Sequence, residues 1–298
     1  MKSVLQALIP LSLLLSAGLS QAGDKVLASL HPLGLVAASV TPAEDLSVLV
    51  PPGMTPHDFS LRPSDIRKIR AARIIFWGGE DAEPYLKEFA QRWPDKHWID
   101  VSHFAEAEHE HSHGHEDHHD GSAADDDHRQ ADAFLHHDPH WWLAPEVMVA
   151  AQAELAAVLQ SGTKQSGQPF ARAVAKQLEK SRHQLAGVRE QAFFVFHRAY
   201  DHWVEAMQLN QAGAFTLSPE RKPGMKTLQS MREQLQRGDI KCVFSEPEFS
   251  PALLDSVVRG LDVKRGELDP MAAGIAISRD GYVRYLQYLT DQFHQCLS

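Results

Sequence analysis

The chain has 298 residues and a formal net charge of −10, from 29 lysines and arginines against 39 aspartates and glutamates. The excess acid is concentrated in one stretch and no basic stripe or arm stands elsewhere, which argues against nucleic acid as a partner. A composition with 43% hydrophobic residues is ordinary for a globular protein, and the length suits one large or two medium domains.

Residues 1–22, MKSVLQALIPLSLLLSAGLSQA, read as a secretory signal peptide. Lys2 precedes an apolar run from Val4 to Leu15, and Ser20-Gln21-Ala22 supplies small residues at a cleavage point near Ala22. The apolar run is too short for a membrane span, and Pro10 at its centre argues against a buried helix. No cysteine near the cleavage point suggests a lipid anchor. The mature protein is expected to begin near Gly23, exported and soluble.

Past the leader, short apolar runs alternate with helical patterns. Predicted strands fall at Val26–Leu30, Leu46–Val50, Arg73–Trp77 and His97–Val101, with predicted helices over Pro32–Val40, from Pro63 onward and over Glu83–Arg92. The second strand stops at Pro51-Pro52-Gly53, and the loop MTPHDFSL comes next. A helix starts at Pro145, a favoured first-turn position, and runs to about Leu159. A long helical pattern from about Pro169 to Gln191 would connect two units. Beyond it the alternation repeats: strands at Phe193–His197, Ala212–Leu217, Ile240–Ser245 and Lys264–Leu268, helices at Ala199–Met207, Met225–Gln236, Pro251–Gly260 and Tyr282–Gln295. Strands alternating with helices predict an α/β fold with mainly parallel sheets flanked by helices. Two such sets imply two lobes, residues 23–161 and 192–298, joined by a connecting helix within 162–191, with the ligand in the cleft between them.

Residues 103–137 interrupt this pattern with a run in which histidines and carboxylates alternate, HFAEAEHEHSHGHEDHHDG at its start. A segment this polar cannot bury enough surface to offset its ordering entropy, so a flexible loop is expected. Neutral imidazole and carboxylate are also the side chains that hold divalent transition metals. His109, His111, His113, His115, His118 and His119 are therefore read as an accessory, low-affinity metal collector.

In open α/β sheets ligands bind just past the carboxyl ends of strands. His57, beyond the Pro-Pro-Gly turn, His140, beyond the polar run, His197, ending FFVFH, and Asp269, ending GELD, all leave strand ends. Two come from each half, and three imidazoles with one carboxylate make a good zinc shell. Each alone has a plain structural explanation: a turn cap for His57, one histidine among many for His140, a satisfied core histidine for His197, a turn residue for Asp269. Their joint placement is harder to explain that way. Glu246 and Glu248 leave another strand end and suit either a supporting role or a solvated turn, while His31 and His202 carry a weaker signal. Cys242 and Cys296 offer one possible disulfide, which export would permit; the alternative is two separate buried thiols.

Five segments in this order resemble the periplasmic zinc-binding proteins of high-affinity zinc importers, the ZnuA type within the metal-binding cluster of ABC-transporter solute-binding proteins. They are Pro52-Gly53 with PHDFSLRPSD, DPHWWLAPE, VFHRAY, FSEPEFSP and GELDP. The resemblance spans the mature chain and implies two α/β lobes with Zn2+ held between them by His57, His140 and His197, and Asp269 or a water as fourth ligand. Where manganese-type relatives have a glutamate, this chain has His197, and nitrogen there favours zinc. Some zinc-type members place an acidic residue before the first ligand, where this chain has Pro56. The resemblance also implies a Cys242–Cys296 disulfide in the second lobe, and as partners the permease and ATPase subunits of an ABC importer, served by a monomer that is not an enzyme. Two other readings are a zinc-dependent hydrolase, against which stands the lack of an HExxH-type motif, and a manganese-binding or adhesin-type relative. Imidazole ligands must be neutral, so metal affinity is expected to fall below about pH 6.5.

Overall fold

The computed structural model describes residues 25–105, 138–159, 168–216, 224–237, 239–248 and 252–298. The leader and the histidines from His109 to His119 lie outside them. In the first lobe, β1 (Val26–Ala28), β2 (Leu46–Val48), β3 (Ile74–Trp77) and β4 (His97–Asp100) form an all-parallel sheet in the order β2-β1-β3-β4. In the second, β5 (Ala192–His197), β6 (Gln211–Thr216), β7 (Ile240–Ser245) and β8 (Lys264–Glu267) form another, in the order β6-β5-β7-β8. The two orders are the same once the strands are renumbered within each lobe. In both, the chain reverses its direction of travel across the sheet between the first and third strands, which opens a crevice at their carboxyl ends.

Parallel strands covered on both faces read as continuous apolar runs, and β3, Ile-Ile-Phe-Trp, is buried throughout. Its cover in the first lobe comes from α1 (His31–Ala37), α2 (Pro63–Ala71) and α3 (Lys87–Arg92). Next come α4 (Pro145–Leu159), which packs against α1 and β4, and α5 (Gln168–Leu185), which leads into the second lobe. The second lobe adds α6 (Asp201–Met207), α7 (Met225–Gln236), α8 (Ala252–Val258) and α9 (Gly281–Leu297). One apolar core runs through both lobes and includes the fully buried rings of Trp142, Trp203, Tyr200, Tyr282 and Tyr285. A smaller core, with Phe194, Phe215, Val243 and Leu254, packs α7 and α8 on the outer face of the second sheet.

The predicted elements are present, with most ends within one to three residues of expectation, and three differences have a clear local cause. The connecting helix stops at Leu185, six residues short of the predicted end, because the chain breaks into turns around Gly187. Spanning 18 residues, α5 is about 27 Å long at 1.5 Å per residue, and it packs along α9. The helix predicted from Ala199 starts at Asp201, since the chain first makes a tight turn in which Ala199 N–H donates to the His197 carbonyl, at 2.9 Å. Glu83, predicted to open a helix, instead turns its side chain into the core, and a short 3-10 turn over Pro84–Leu86 precedes α3.

Small residues let side chains cross the sheets. A β-carbon on Gly266 in β8 would sit 2.5 Å from the Phe244 ring, and one on Gly213 in β6 would sit 2.6 Å from the Phe194 ring. No described helix is long and apolar enough to cross a membrane.

Candidate metal centre

His57 is presented by backbone chemistry local to its loop. Pro51 accepts a hydrogen bond from Met54 N–H at 3.2 Å, and Gly53 has a φ of +78°, the positive value demanded at the third position of a type II turn. The chain then enters a 3-10 turn over Pro56–Asp58, with Pro at its start and the Thr55 hydroxyl accepting from His57 N–H. That turn points His57 into the cleft.

His140 and His197 are fixed more firmly, each by one carboxylate. Asp138 Oδ1 accepts from both the backbone N–H of His140, at 3.0 Å, and its Nδ1–H, at 2.5 Å. Glu246 Oε1 does the same for His197, at 3.3 Å from N and 2.8 Å from Nδ1. His197 ends β5 and Glu246 comes just after the adjacent parallel strand β7, so this pair occupies the crevice of the second lobe. In the neutral imidazole, an Nδ1–H committed to a carboxylate makes Nε2 the lone-pair nitrogen, the one that can ligate a metal.

The three Nε2 atoms converge. His140 Nε2 lies 3.2 Å from His57 Nε2 and 3.3 Å from His197 Nε2. A tetrahedral ion held 2.0–2.1 Å from each nitrogen would separate neighbouring nitrogens by about 3.3–3.4 Å. Among the described residues, these three histidines are the group whose donor atoms lie within 4.8 Å of one another. Two are buried and His57 is partly so. The residues therefore fit a divalent cation with a preference for imidazole nitrogen.

Electrostatics keep the group ready for a cation. Burial, followed by the neighbouring His140 and His197 rings, pushes the His57 pKa down to about 3, so its ring stays neutral. Burial alone would raise the Asp138 carboxyl, but the His140 ring outweighs it and brings Asp138 down to about 2. At His197 burial acts downward, yet the Glu246 carboxylate prevails and raises the imidazole above its ordinary value. The Asp138 and Glu246 carboxyl groups thus lie behind two of the three rings, on the side away from the point of convergence.

Comparison with known proteins agrees with this geometry. The family described as zinc-uptake complex component A, periplasmic (ZnuA), matches residues 26–296. The high-affinity zinc uptake system protein ZnuA of Yersinia pestis is 32% identical over 316 aligned positions, covering 98% of this chain and 97% of that protein. The chain belongs to the ZnuA family. The corresponding Haemophilus influenzae protein is also 32% identical, with both chains covered completely. Among solved structures, the periplasmic zinc-binding protein TroA from Treponema pallidum superposes with a TM-score of 0.73 at 16% identity, covering 93% of this chain and 99% of that one. A mutant of the laminin-binding adhesin Lmb from Streptococcus agalactiae gives 0.72 at 17% identity, covering 93% and 100%. These likenesses establish the two-lobed α/β fold.

Asp269, the fourth residue that sequence singled out, stands outside the histidine group. Its Oδ1 accepts from Met271 N–H at 2.8 Å and its Oδ2 from Ala273 N–H at 2.6 Å, closing the turn after β8. Burial raises its carboxyl, against the pull of those N–H donors. Burial, then the nearby Asp269, likewise raises Glu248 to about 7. Cys242 and Cys296 form a disulfide with a Cα–Cα distance of 5.9 Å, tying α9 to β7.

Sequence reasoning left Glu246 between a supporting role and a solvated turn, and passed over Asp138. A signal existed for Asp138, because an aspartate two residues before a histidine can accept from that histidine's own backbone N–H in an Asx turn. For Glu246 only the strand order supplies the partner. Glu83 was also missed. It fills the crevice of the first lobe, where its Oε2 accepts from Ser29 Oγ, at 2.5 Å, and Gly78 N–H, at 2.7 Å, while Oε1 accepts from Tyr85 OH at 2.8 Å.

Proposed function

We propose that this protein captures Zn2+ in the periplasm and delivers it to the permease and ATPase subunits of an ABC-type zinc importer. It acts as a monomeric binding protein, not as an enzyme. The observation that carries this reading is the convergence of His57, His140 and His197, with His140 Nε2 3.2 and 3.3 Å from the Nε2 atoms of the other two, in a member of the ZnuA family. Zinc is the cargo: His57, His140 and His197 hold it, and Asp269 or a water completes the shell. A nitrogen-rich shell selects zinc over manganese, which prefers carboxylate oxygen.

The site lies between a lobe of residues 23–161 and a lobe of residues 192–298, joined through 162–191, with residues 1–22 removed on export. Asp138 and Glu246 set the ring orientations, and the second lobe is further braced by the Cys242–Cys296 bond. His109, His111, His113, His115, His118 and His119 gather zinc weakly and pass it on.

The test is titration of the metal-stripped mature protein with zinc and with manganese. One tight zinc equivalent with much weaker manganese binding is expected, and the triple change of His57, His140 and His197 to alanine should abolish it. Equal affinity for both metals, or tight zinc binding by the triple variant, would overturn the reading.

A further inference from the structure

His140 is held by more than its own lobe. The groups on either side of it are gripped by the first turn of α6, on the opposite sheet. The Nε2–H of His202 donates to the backbone carbonyl of Asp138 at 2.9 Å. The His202 ring stacks on Trp141, centroids 4.4 Å apart and planes inclined by 26°. Asp201, the residue before it, donates its backbone N–H to Asp138 Oδ2 at 3.1 Å. Asp138 therefore works in two directions, with Oδ1 orienting His140 and Oδ2 and the carbonyl oxygen tied to α6. On the far side, Trp142 Nε1–H donates to the Pro270 carbonyl at 2.8 Å, and Tyr282 OH donates to the Trp142 carbonyl at 2.9 Å.

We propose that His202 is a positioning residue for the metal centre, which fixes the Asp138–Trp141 segment to the second lobe and so sets His140 in register with His197. This rests on the zinc reading of the same site. Only four residues separate His202 from His197, so one short stretch of chain carries a ligand at one end and, at the other, the group that places a second ligand. His140 and His197 then behave as a preset pair, each with its Nδ1–H on a carboxylate anchored to the β5–α6 and β7 region. His57, on its separate 3-10 turn, is the ligand that completes the group from the first lobe.

The stacked ring and the hydrogen bond are separable by substitution. His202→Phe keeps a ring against Trp141 and removes the donor, whereas His202→Gln places an amide donor near the position of Nε2. Residues that orient metal ligands typically contribute 10–100-fold in affinity. The test measures zinc affinity by chelator competition and the visible absorption of the Co2+-loaded protein, whose band shape reports ligand geometry. His202→Phe is expected to lose at least tenfold in zinc affinity with an altered Co2+ spectrum, and His202→Gln to stay within about threefold of the parent with the parent spectrum. His202→Ala takes the place of His202→Phe if the latter does not fold, with the same expectations.

His140→Ala is run alongside. If it abolishes tight zinc binding while His202→Phe leaves affinity and spectrum unchanged, the positioning role is wrong and the zinc site stands. The role is also wrong if Phe and Gln variants lose affinity equally in proportion to lost thermal stability. If His140→Ala leaves zinc binding intact, the site itself is misassigned and the inference falls with it.

Discussion

Glu246 Oε1 accepts from both the Nδ1–H and the backbone N–H of His197, at 2.8 and 3.3 Å, and Oε2 lies 2.8 Å from the same Nδ1. Ring and backbone are therefore locked together, and Nε2 can point only where the strand end sends it. The same device recurs at Asp138 and His140, in a different lobe and on an irregular segment rather than a strand. Replacing the carboxylates by amides tests it. Glu246→Gln and Asp138→Asn are each expected to lower zinc affinity by 10–100-fold, the usual cost of losing a ligand-orienting group, as measured by chelator competition. Parental affinity in both variants would show that the rings are held without them.

The three histidines should not be equivalent in kind but should be equivalent in need. Removing any one leaves at most two imidazoles, too few for a tight tetrahedral site. His57→Ala, His140→Ala and His197→Ala are each expected to weaken zinc binding by more than a hundredfold, on the order of 3 kcal/mol or more. Calorimetric titration of the metal-stripped variants reads this directly.

Asp269 already spends both oxygens on the backbone N–H groups of Met271 and Ala273. Asp269→Asn is therefore expected to reduce zinc affinity by less than about tenfold, the lower end for a supporting residue. A hundredfold loss in a variant with unchanged circular dichroism would place Asp269 in the coordination shell.

Glu83 links stability to pH. Burial, opposed by its hydrogen bonds to Ser29, Gly78 and Tyr85, raises its carboxyl from 4.5 to about 7. The folded state thus binds the proton more tightly than the unfolded chain does. Stability from this group is full below pH 4.5 and is lost as pH rises through about 7. The loss is on the order of 3 kcal/mol at alkaline pH. Glu83→Gln, which mimics the protonated acid, is expected to flatten the dependence of unfolding free energy between pH 5 and 8 and to be the more stable form at pH 8. Denaturant unfolding of the metal-stripped parent and variant at both pH values checks this, and parallel curves would refute it.

The disulfide closes a separation of 54 residues between β7 and α9. In the chain-entropy account such a loop stabilises by about 4 kcal/mol at most. The double change Cys242→Ser and Cys296→Ser is expected to lower unfolding free energy by about 2–4 kcal/mol while leaving one zinc equivalent bound at low temperature. Unaltered denaturant midpoints would show that the packing of Phe293 against Phe193 and Phe244 suffices by itself.

Local chemistry in the chain was enough to determine the class of fold, the position of each strand and the identity of three converging histidines. The reason is that runs such as Ile74–Trp77 and Phe193–His197 can be buried only as central parallel strands, and parallel strands expose the residues just past their carboxyl ends. Helix ends were less legible. Where α6 starts depends on the turn that takes up Ala199, and where α5 stops depends on Gly187, both settled by packing around them. Which carboxylate serves which ring was invisible, because Glu246 reaches His197 across 49 residues and only the adjacency of β5 and β7 brings them together. The same holds for His202, a helix residue with only a weak signal of its own, which reaches Asp138 across 64 residues and stacks on Trp141 only because the fold brings them together. Ligand type follows from side-chain chemistry that any sequence displays; ligand geometry needs groups distant along the chain to be held within hydrogen-bonding reach, and that is decided by tertiary structure alone.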